Sequence, residues 1–218
     1  MARMTGVTPG TDRLELEAEF ERAWADTANT RARPPDYDVN RVLAASYRMR
    51  KPLVFTRTML WDVEVRKAYN PAEYIPFVVR AESARVWDRR VDGGGEYFLR
   101  SSEQRLWLRP DEYGTVLERV YLNHQDQRAT FIGASAFTDA DGHQVRAGAG
   151  QAIFHVEHSV GGSETWPLNS WRIVHLTRAV DERLLEVFTG MAKDVWLPEY
   201  IEIYIRRDLD VELSRREP

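Results

Sequence analysis

The feature that most constrains this chain is a succession of strand-like segments separated by short turn signals. Between residues 83 and 177 it reads SARVWDRRV, EYFLRSSEQRLWL, TVLERVYLNH, ATFIGASAF, QVRAGAGQAIFHVEHSV and NSWRIVHLT. The separators are Asp92-Gly93-Gly94-Gly95, Arg109-Pro110-Asp111, Gln125-Asp126-Gln127, Asp139-Ala140-Asp141-Gly142 and Gly161-Gly162. Parallel neighbours need a crossover of a dozen or more residues, so connections this short mean antiparallel hairpins. Asp141-Gly142 is the strongest hairpin signal among them. Gly148-Ala149-Gly150 falls inside a strand pattern and reads as a bend that curves the sheet.

The flanks are helical. Leu16, Phe20, Ala23 and Trp24 recur at helical spacing after Thr11-Asp12, which predicts an amphipathic helix over 12–27 behind a disordered tail at 1–12. TRARPPDYD breaks it, and 39–48 reads as a short helix. LVFTRTMLW, rich in β-branched and aromatic residues, reads as the first strand. A helical stretch over 63–80 follows, restarted at Asn70-Pro71. RLLEVFTGM fits either an added strand or a helix. LPEYIEIYIRRDLDVEL places Leu197, Ile201, Tyr204 and Ile205 on one stripe behind Pro198, which predicts a terminal helix over 197–214.

Strands bracketed by helices give an α+β fold: a curved antiparallel sheet of about six to eight strands gripping a long C-terminal helix around an apolar cavity. Residues 1–49 read as a tail and N-terminal helical extension, and 50–218 as the main domain. This order, a first strand, a helical insertion, about six antiparallel strands and a terminal helix, resembles the helix-grip superfamily over about residues 50–214. That group includes START lipid-transfer domains, birch-pollen allergens and aromatic polyketide cyclases. The helix before residue 50 is additional to the pattern. A competing resemblance is to the cone-shaped fold of scytalone dehydratase and ketosteroid isomerase, which places helices first. Either resemblance implies a small, mostly hydrophobic ligand.

Composition narrows the chemistry. The 218 residues include no cysteine, which excludes thiolate nucleophiles, disulfides and cysteine-ligated metals. A net charge of −4 argues against a nucleic-acid partner. Apolar runs such as Ile75–Val79 are too short to span a bilayer, and the first twenty residues lack a secretory apolar segment, so the expectation is a soluble cytoplasmic protein without a membrane partner. Only Lys51, Lys67 and Lys193 contribute lysine to the 30 basic residues. Seven Trp and nine Tyr suit an aromatic-lined pocket, and core packing explains them equally well.

Alternation along strands selects the candidate site. In TVLERVYLNH, Val116, Glu118, Val120, Leu122 and His124 share one face, opposite Leu117, Arg119, Tyr121 and Asn123. In AIFHVEHSV, Ala152, Phe154, Val156 and His158 share the more apolar face. Carboxylates and histidines among aliphatic neighbours are pushed toward neutral pKa values, as general acids and bases require. His124, His158 and Glu118 are therefore the expected catalytic set. Arg105 and Tyr121 would steady oxyanion charge, and His175, Glu103 and Trp107 complete the expected substrate contacts. Glu118 and His124 are six residues apart, about 20 Å along a strand, so each needs a partner from a neighbouring strand. HVEH is not HExxH, and on a strand His155 and His158 point to opposite faces. No metal and no cofactor are expected; the metal alternative is a set from different strands, His124, His158 and His175 with Glu118.

The functional expectation is a cofactor-independent cyclase, dehydratase, isomerase or lyase acting on a hydrophobic carbonyl- or phenol-bearing substrate. The alternatives are a non-catalytic carrier of a hydrophobic ligand and a His/Glu metal-dependent hydrolase. A homodimer is left open.

Overall fold

A computed structural model describes residues 11–139, 141–148, 150–191 and 195–216. Most of the expected tail therefore lies outside the described residues. The chain runs α1 (Thr11–Ala25), β1 (Thr30–Ala32), β2 (Tyr37–Asp38), α2 (Val39–Ser46), β3 (Tyr47–Met49), α3 (Arg57–Tyr69) and α4 (Pro71–Tyr74). It continues through β4 (Arg85–Asp92), β5 (Gly95–Leu106), β6 (Arg109–Asn123), β7 (Arg128–Ala134), β8 (Ala136–Thr138), β9 (Gln144–Arg146), β10 (Phe154–Ser163) and β11 (Trp166–His175). It ends with α5 (Glu182–Met191), α6 (Glu199–Arg207) and β12 (Leu213–Arg215).

Eight strands form one antiparallel sheet in the order β1-β11-β10-β7-β6-β5-β4, with β2 also paired to β11. The first strand thus lies beside the last one of the sheet, and the strands between form a meander of hairpins. The β10–β11 turn needs glycine: Gly162 has φ +75°, and a Cβ there would lie 2.0 Å from the Trp166 carbonyl oxygen. Asp141-Gly142 closes the small β8–β9 hairpin, with Gly142 at φ +84°.

Both faces of the sheet are covered. On the concave face α3 packs on β7, β10 and β11 and α6 packs on α3, with Leu60, Phe98, Val120, Leu122, Ile201 and Ile205 in one buried cluster. On the convex face, Leu16 and Phe20 of α1 pack on Tyr121, Ile132 and Val174. Residues 1–49 contribute β1 and β2 to the large sheet, β3 to a pair with β12, and α1 to the convex layer. Among the described residues no helix is long and apolar enough to cross a membrane.

Four sequence expectations need correction. LVFTRTMLW is not a strand. The Thr56 hydroxyl accepts from the Met59 amide at 3.1 Å and caps α3, so local capping overrides β propensity from Arg57 onward. The helical stretch over 63–80 is consequently two helices, broken at Asn70 and ending at Tyr74. The terminal helix, expected over 197–214, is confined to Glu199–Arg207; the remaining chain turns back at Asp210, φ 51°, and pairs as β12 with β3. Finally, Arg109-Pro110-Asp111 lies within β6, whose exposed first residues tolerate proline. RLLEVFTGM is a helix, with Leu184 and Phe188 buried.

Candidate functional site

Between the concave face and the helices lies a cavity of about 410 Å³, within the roughly 300–1,000 Å³ usual for small-molecule sites. Its walls are largely aromatic and aliphatic: Phe131, Phe154 and Trp171 from the sheet, Trp107 beyond β5, and Phe188 from α5. Trp196, Leu197 and Tyr200 close it from the α6 side.

Its floor carries charge where a packed core would not. Lys67 of α3 is 5% exposed and Glu64, one turn earlier, is fully buried. Lys67 Nζ lies 2.6 Å from Glu64 Oε2 and 3.0 Å from His158 Nδ1, and His158 Nδ1 lies 3.1 Å from the same Glu64 oxygen. Tyr200 donates its phenol proton to Glu64 Oε1 at 2.9 Å, and Asn169 donates to the Tyr200 oxygen. The Lys67 ammonium also sits 3.8 Å from the Tyr200 ring centroid, a cation–π contact.

Beside this cluster, Arg100 of β5 donates from Nε and Nη2 to Glu118 Oε2 at 2.9 and 2.6 Å. Its Nη1 donates to the Ala68 carbonyl at 2.8 Å, satisfying one of the open carbonyls at the C-terminal end of α3. The guanidinium thus ties helix, β5 and β6 together and fixes Glu118 in the cavity wall.

Burial sets the protonation states. It pushes the Glu64 carboxyl up, but Lys67 and His158 outweigh it and hold the group down at about 2. Burial lowers Lys67, with Arg100 adding to the effect and Glu64 opposing it. Burial and the Lys67 charge lower His158 against the pull of Glu64, so its imidazole is neutral at pH 7. Burial and the Glu64 charge raise the Tyr200 phenol far above its ordinary range. The charged residues of the wall, with Glu64 behind them, are Lys67, Arg100 and Arg215 against Glu64, Glu118 and Glu199. The signs balance, which suits an uncharged ligand rather than a phosphate or carboxylate.

The structure brings together three of the residues singled out in the sequence, His158, Glu118 and Trp107, all in the cavity wall. Phe154 and Val156 accompany His158, as the alternation of β10 implied. His175 is buried behind the wall against Phe154 and Phe188, with ring centroids 5.3 and 5.5 Å away. The other four lie elsewhere. His124 follows the end of β6; its Nδ1 accepts from Trp61 Nε1 at 3.2 Å, so its Nε2 donates to Glu96 at 2.9 Å. Tyr121 is on the convex face with α1. Glu103 and Arg105 occupy the outward face of β5, where Glu103 pairs with Arg80 and Arg105 donates to the Pro110 carbonyl at 2.6 Å. The inward face of β5 is Phe98, Arg100, Ser102, Gln104 and Leu106.

His124, His158, His175 and Glu118 have separate partners and do not converge on a common centre. Among the described residues, Asp139, Asp141 and His143 of the β8–β9 hairpin are the group whose ligand atoms come within 4.8 Å of one another. Sequence reasoning missed Glu64, Lys67, Arg100 and Tyr200. The available signal was in α3, where Glu64 and Lys67 occupy the same buried positions as Leu60, Val63 and Ala68.

No family model and no curated protein matches the sequence. Solved structures do resemble the fold. Zhui aromatase/cyclase from a Streptomyces species is 10% identical, with 81% of this chain and 95% of that one covered and a TM-score of 0.48. The di-domain ARO/CYC StfQ from the steffimycin biosynthetic pathway is 17% identical over 74% of this chain and 46% of its own, with a TM-score of 0.44. Norcoclaurine synthase from Thalictrum flavum is 8% identical over 88% and 95% of the two chains, with a TM-score of 0.34. Likeness at this level concerns the fold alone. Within this chain the strand order itself, with the first strand beside the last and helices on the concave face, is the helix-grip arrangement.

Proposed function

We propose that this cavity binds an uncharged, flat carbonyl compound or phenol, and that the protein is an enzyme transferring protons on it with its own side chains. The observation that carries this reading is His158 Nδ1 held between Lys67 Nζ and Glu64 Oε2 in the wall of an aromatic cavity. With both contacts on Nδ1, Nε2 is the ring nitrogen left to a ligand. When Nδ1–H donates to Glu64, Nε2 is a base able to remove a proton α to a carbonyl. The imidazolium that forms, its Nδ1–H still on Glu64, is the acid that returns the proton. The imidazolium charge forms beside the Glu64 carboxylate, so the proton gained is paired where a low dielectric would otherwise oppose it. Lys67 and Arg100 supply positive charge for a developing enolate or phenolate. Glu118, fixed through one oxygen by Arg100, offers its other oxygen as an acceptor. Isomerisation, dehydration and aldol-type cyclisation all begin with this α-proton step.

The test uses 2-tetralone, a flat enolisable ketone, in deuterated buffer, with α-deuteration followed by proton NMR. Exchange above the buffer rate is expected, falling about 10²–10⁴-fold in His158→Gln, the range for losing one general acid or base. Quenching of Trp107, Trp171 and Trp196 fluorescence by 2-naphthol should survive in that variant. Quenching in the wild type without any exchange would instead make the protein a carrier.

A further inference from the structure

The sequence holds three lysines, and the structure gives Lys67 an environment unlike that of a surface amine. Lys51 is exposed and Lys193 lies outside the described residues, whereas Lys67 reaches the cavity from a buried helix position. Its ammonium is held by Glu64, His158 Nδ1 and the Tyr200 ring together. A simple ion pair needs none of the last two. Buried lysines of this kind serve as amine nucleophiles toward carbonyl groups.

We infer that Lys67 Nζ is a covalent attachment point for aldehyde or ketone ligands, forming a Schiff base in the cavity. The inference rests on the reading of the cavity as a site for carbonyl compounds and adds a step to it. The Lys67 ammonium gives one proton to His158 Nδ1, 3.0 Å away. The freed lone pair attacks the carbonyl carbon; the C=O π pair moves to oxygen, and a proton shifts from nitrogen to that oxygen to give a neutral carbinolamine. The His158 imidazolium then returns its proton to the hydroxyl, the C–O bond breaks, and water leaves. What remains is a protonated imine on Lys67 and a neutral His158, so the charge of the cluster is unchanged. The iminium cation stands where the ammonium stood, so Glu64 keeps its counter-charge and the Tyr200 ring keeps a cation above its face. The burial that lowers the Lys67 ammonium favours the free amine, while Glu64 favours the cation at both ends of the reaction. Tyr200 retains its own proton throughout and holds Glu64 in place.

The experiment uses 2-naphthaldehyde with sodium cyanoborohydride at neutral pH on the full chain, followed by intact mass and peptide mapping. This aldehyde has no α-hydrogen, so it reports attachment without the proton-transfer step that 2-tetralone reports. One naphthylmethyl group on the Lys67 peptide is expected, ahead of any labelling of Lys51, with loss of that label when 2-naphthol is present. Lys67→Arg should abolish the adduct in a variant whose circular dichroism matches the wild type; should that variant fail to fold, wild-type mapping decides alone. Labelling confined to Lys51, Lys193 and the N-terminal amine, in protein that binds 2-naphthol and exchanges 2-tetralone, would overturn the inference and leave the acid–base reading standing. Absence of both labelling at Lys67 and quenching by 2-naphthol would overturn the two together.

Discussion

Glu118 and Arg119 are neighbours in β6, and the two faces of the sheet use them in opposite ways. On the convex face Arg119 donates to Glu19 of α1, in a pair whose side chains are 27% and 30% exposed. Arg172 behaves similarly, reaching Glu21 of α1 and Glu157 of β10 while lying over the Phe20 ring. The pairs with Glu19 and Glu21 rim an apolar contact made by Leu16 and Phe20, and water still reaches them, while Glu157 itself is buried. On the concave face Glu118 pairs with Arg100 at 3% and 6% exposure, and Glu64 and Lys67 lie as deep. Ions taken that far from water lose solvation that their mutual attraction only partly returns, and apolar residues of similar volume often serve stability as well or better. Convex charges fasten a helix. Concave charges line a cavity, where the proposed proton transfer would use them.

The largest expected effect separates these roles. Glu64→Leu leaves Lys67 buried without its partner and should cost about 3–5 kcal/mol in urea melts. Adding Lys67→Met should restore most of that loss, because the charges leave together, yet the double variant should exchange no 2-tetralone. A double variant as unstable as the single one would mean that the ions are structural and that the contrast between the faces is false.

A middle-sized effect depends on pH. Burial, opposed by Asp181, lowers His175 from 6.5 to about 4. Between those values the unfolded chain binds a proton that the folded chain refuses, so this contribution to stability falls as pH drops through 6.5 toward 4. His175→Phe keeps a ring between Phe154 and Phe188. Relative to pH 7, it should spare the protein roughly 2 kcal/mol of destabilisation at pH 5. Parallel stability curves for the two proteins between pH 7 and 5 would show that His175 takes up its proton in the folded state.

The smallest effect belongs to the convex rim. Glu19→Gln should change stability by less than about 1 kcal/mol, further reduced by salt, and leave 2-tetralone exchange unaltered. A larger loss in either measurement would show that α1 is coupled to the cavity across the sheet.

The difference between the faces was partly legible in the sequence. Alternation placed Glu118 with Val116 and Val120, and His158 with Phe154 and Val156, because period-two patterning survives wherever both faces of a strand are covered. It also implied an inward His124, but β6 ends at Asn123 and the pleat no longer governs the next residue. Glu64 and Lys67 were hidden by the reading of LVFTRTMLW as a strand: with the start of α3 misplaced, their shared face with Leu60 was not visible. Arg100 was hidden because both faces of β5 mix polar and apolar residues, and only the packing of α3 against one of them shows which is inside. Tyr200 fell within the predicted terminal helix, yet its bond to Glu64 spans 136 positions in the chain, a separation that local pattern does not encode.

In the proposed mechanism His158 is kept neutral by burial and by the Lys67 charge, and it meets the ligand through Nε2. Nitrogen-15 NMR of the imidazole side chains, with His158→Gln to assign the signal, tests it most directly. A ring that titrates below its ordinary range near 6.5 is expected, with distinct Nδ1 and Nε2 resonances while neutral and an Nε2 signal that moves when 2-naphthol is added. A ring that titrates through its ordinary range near 6.5 and ignores 2-naphthol would contradict it.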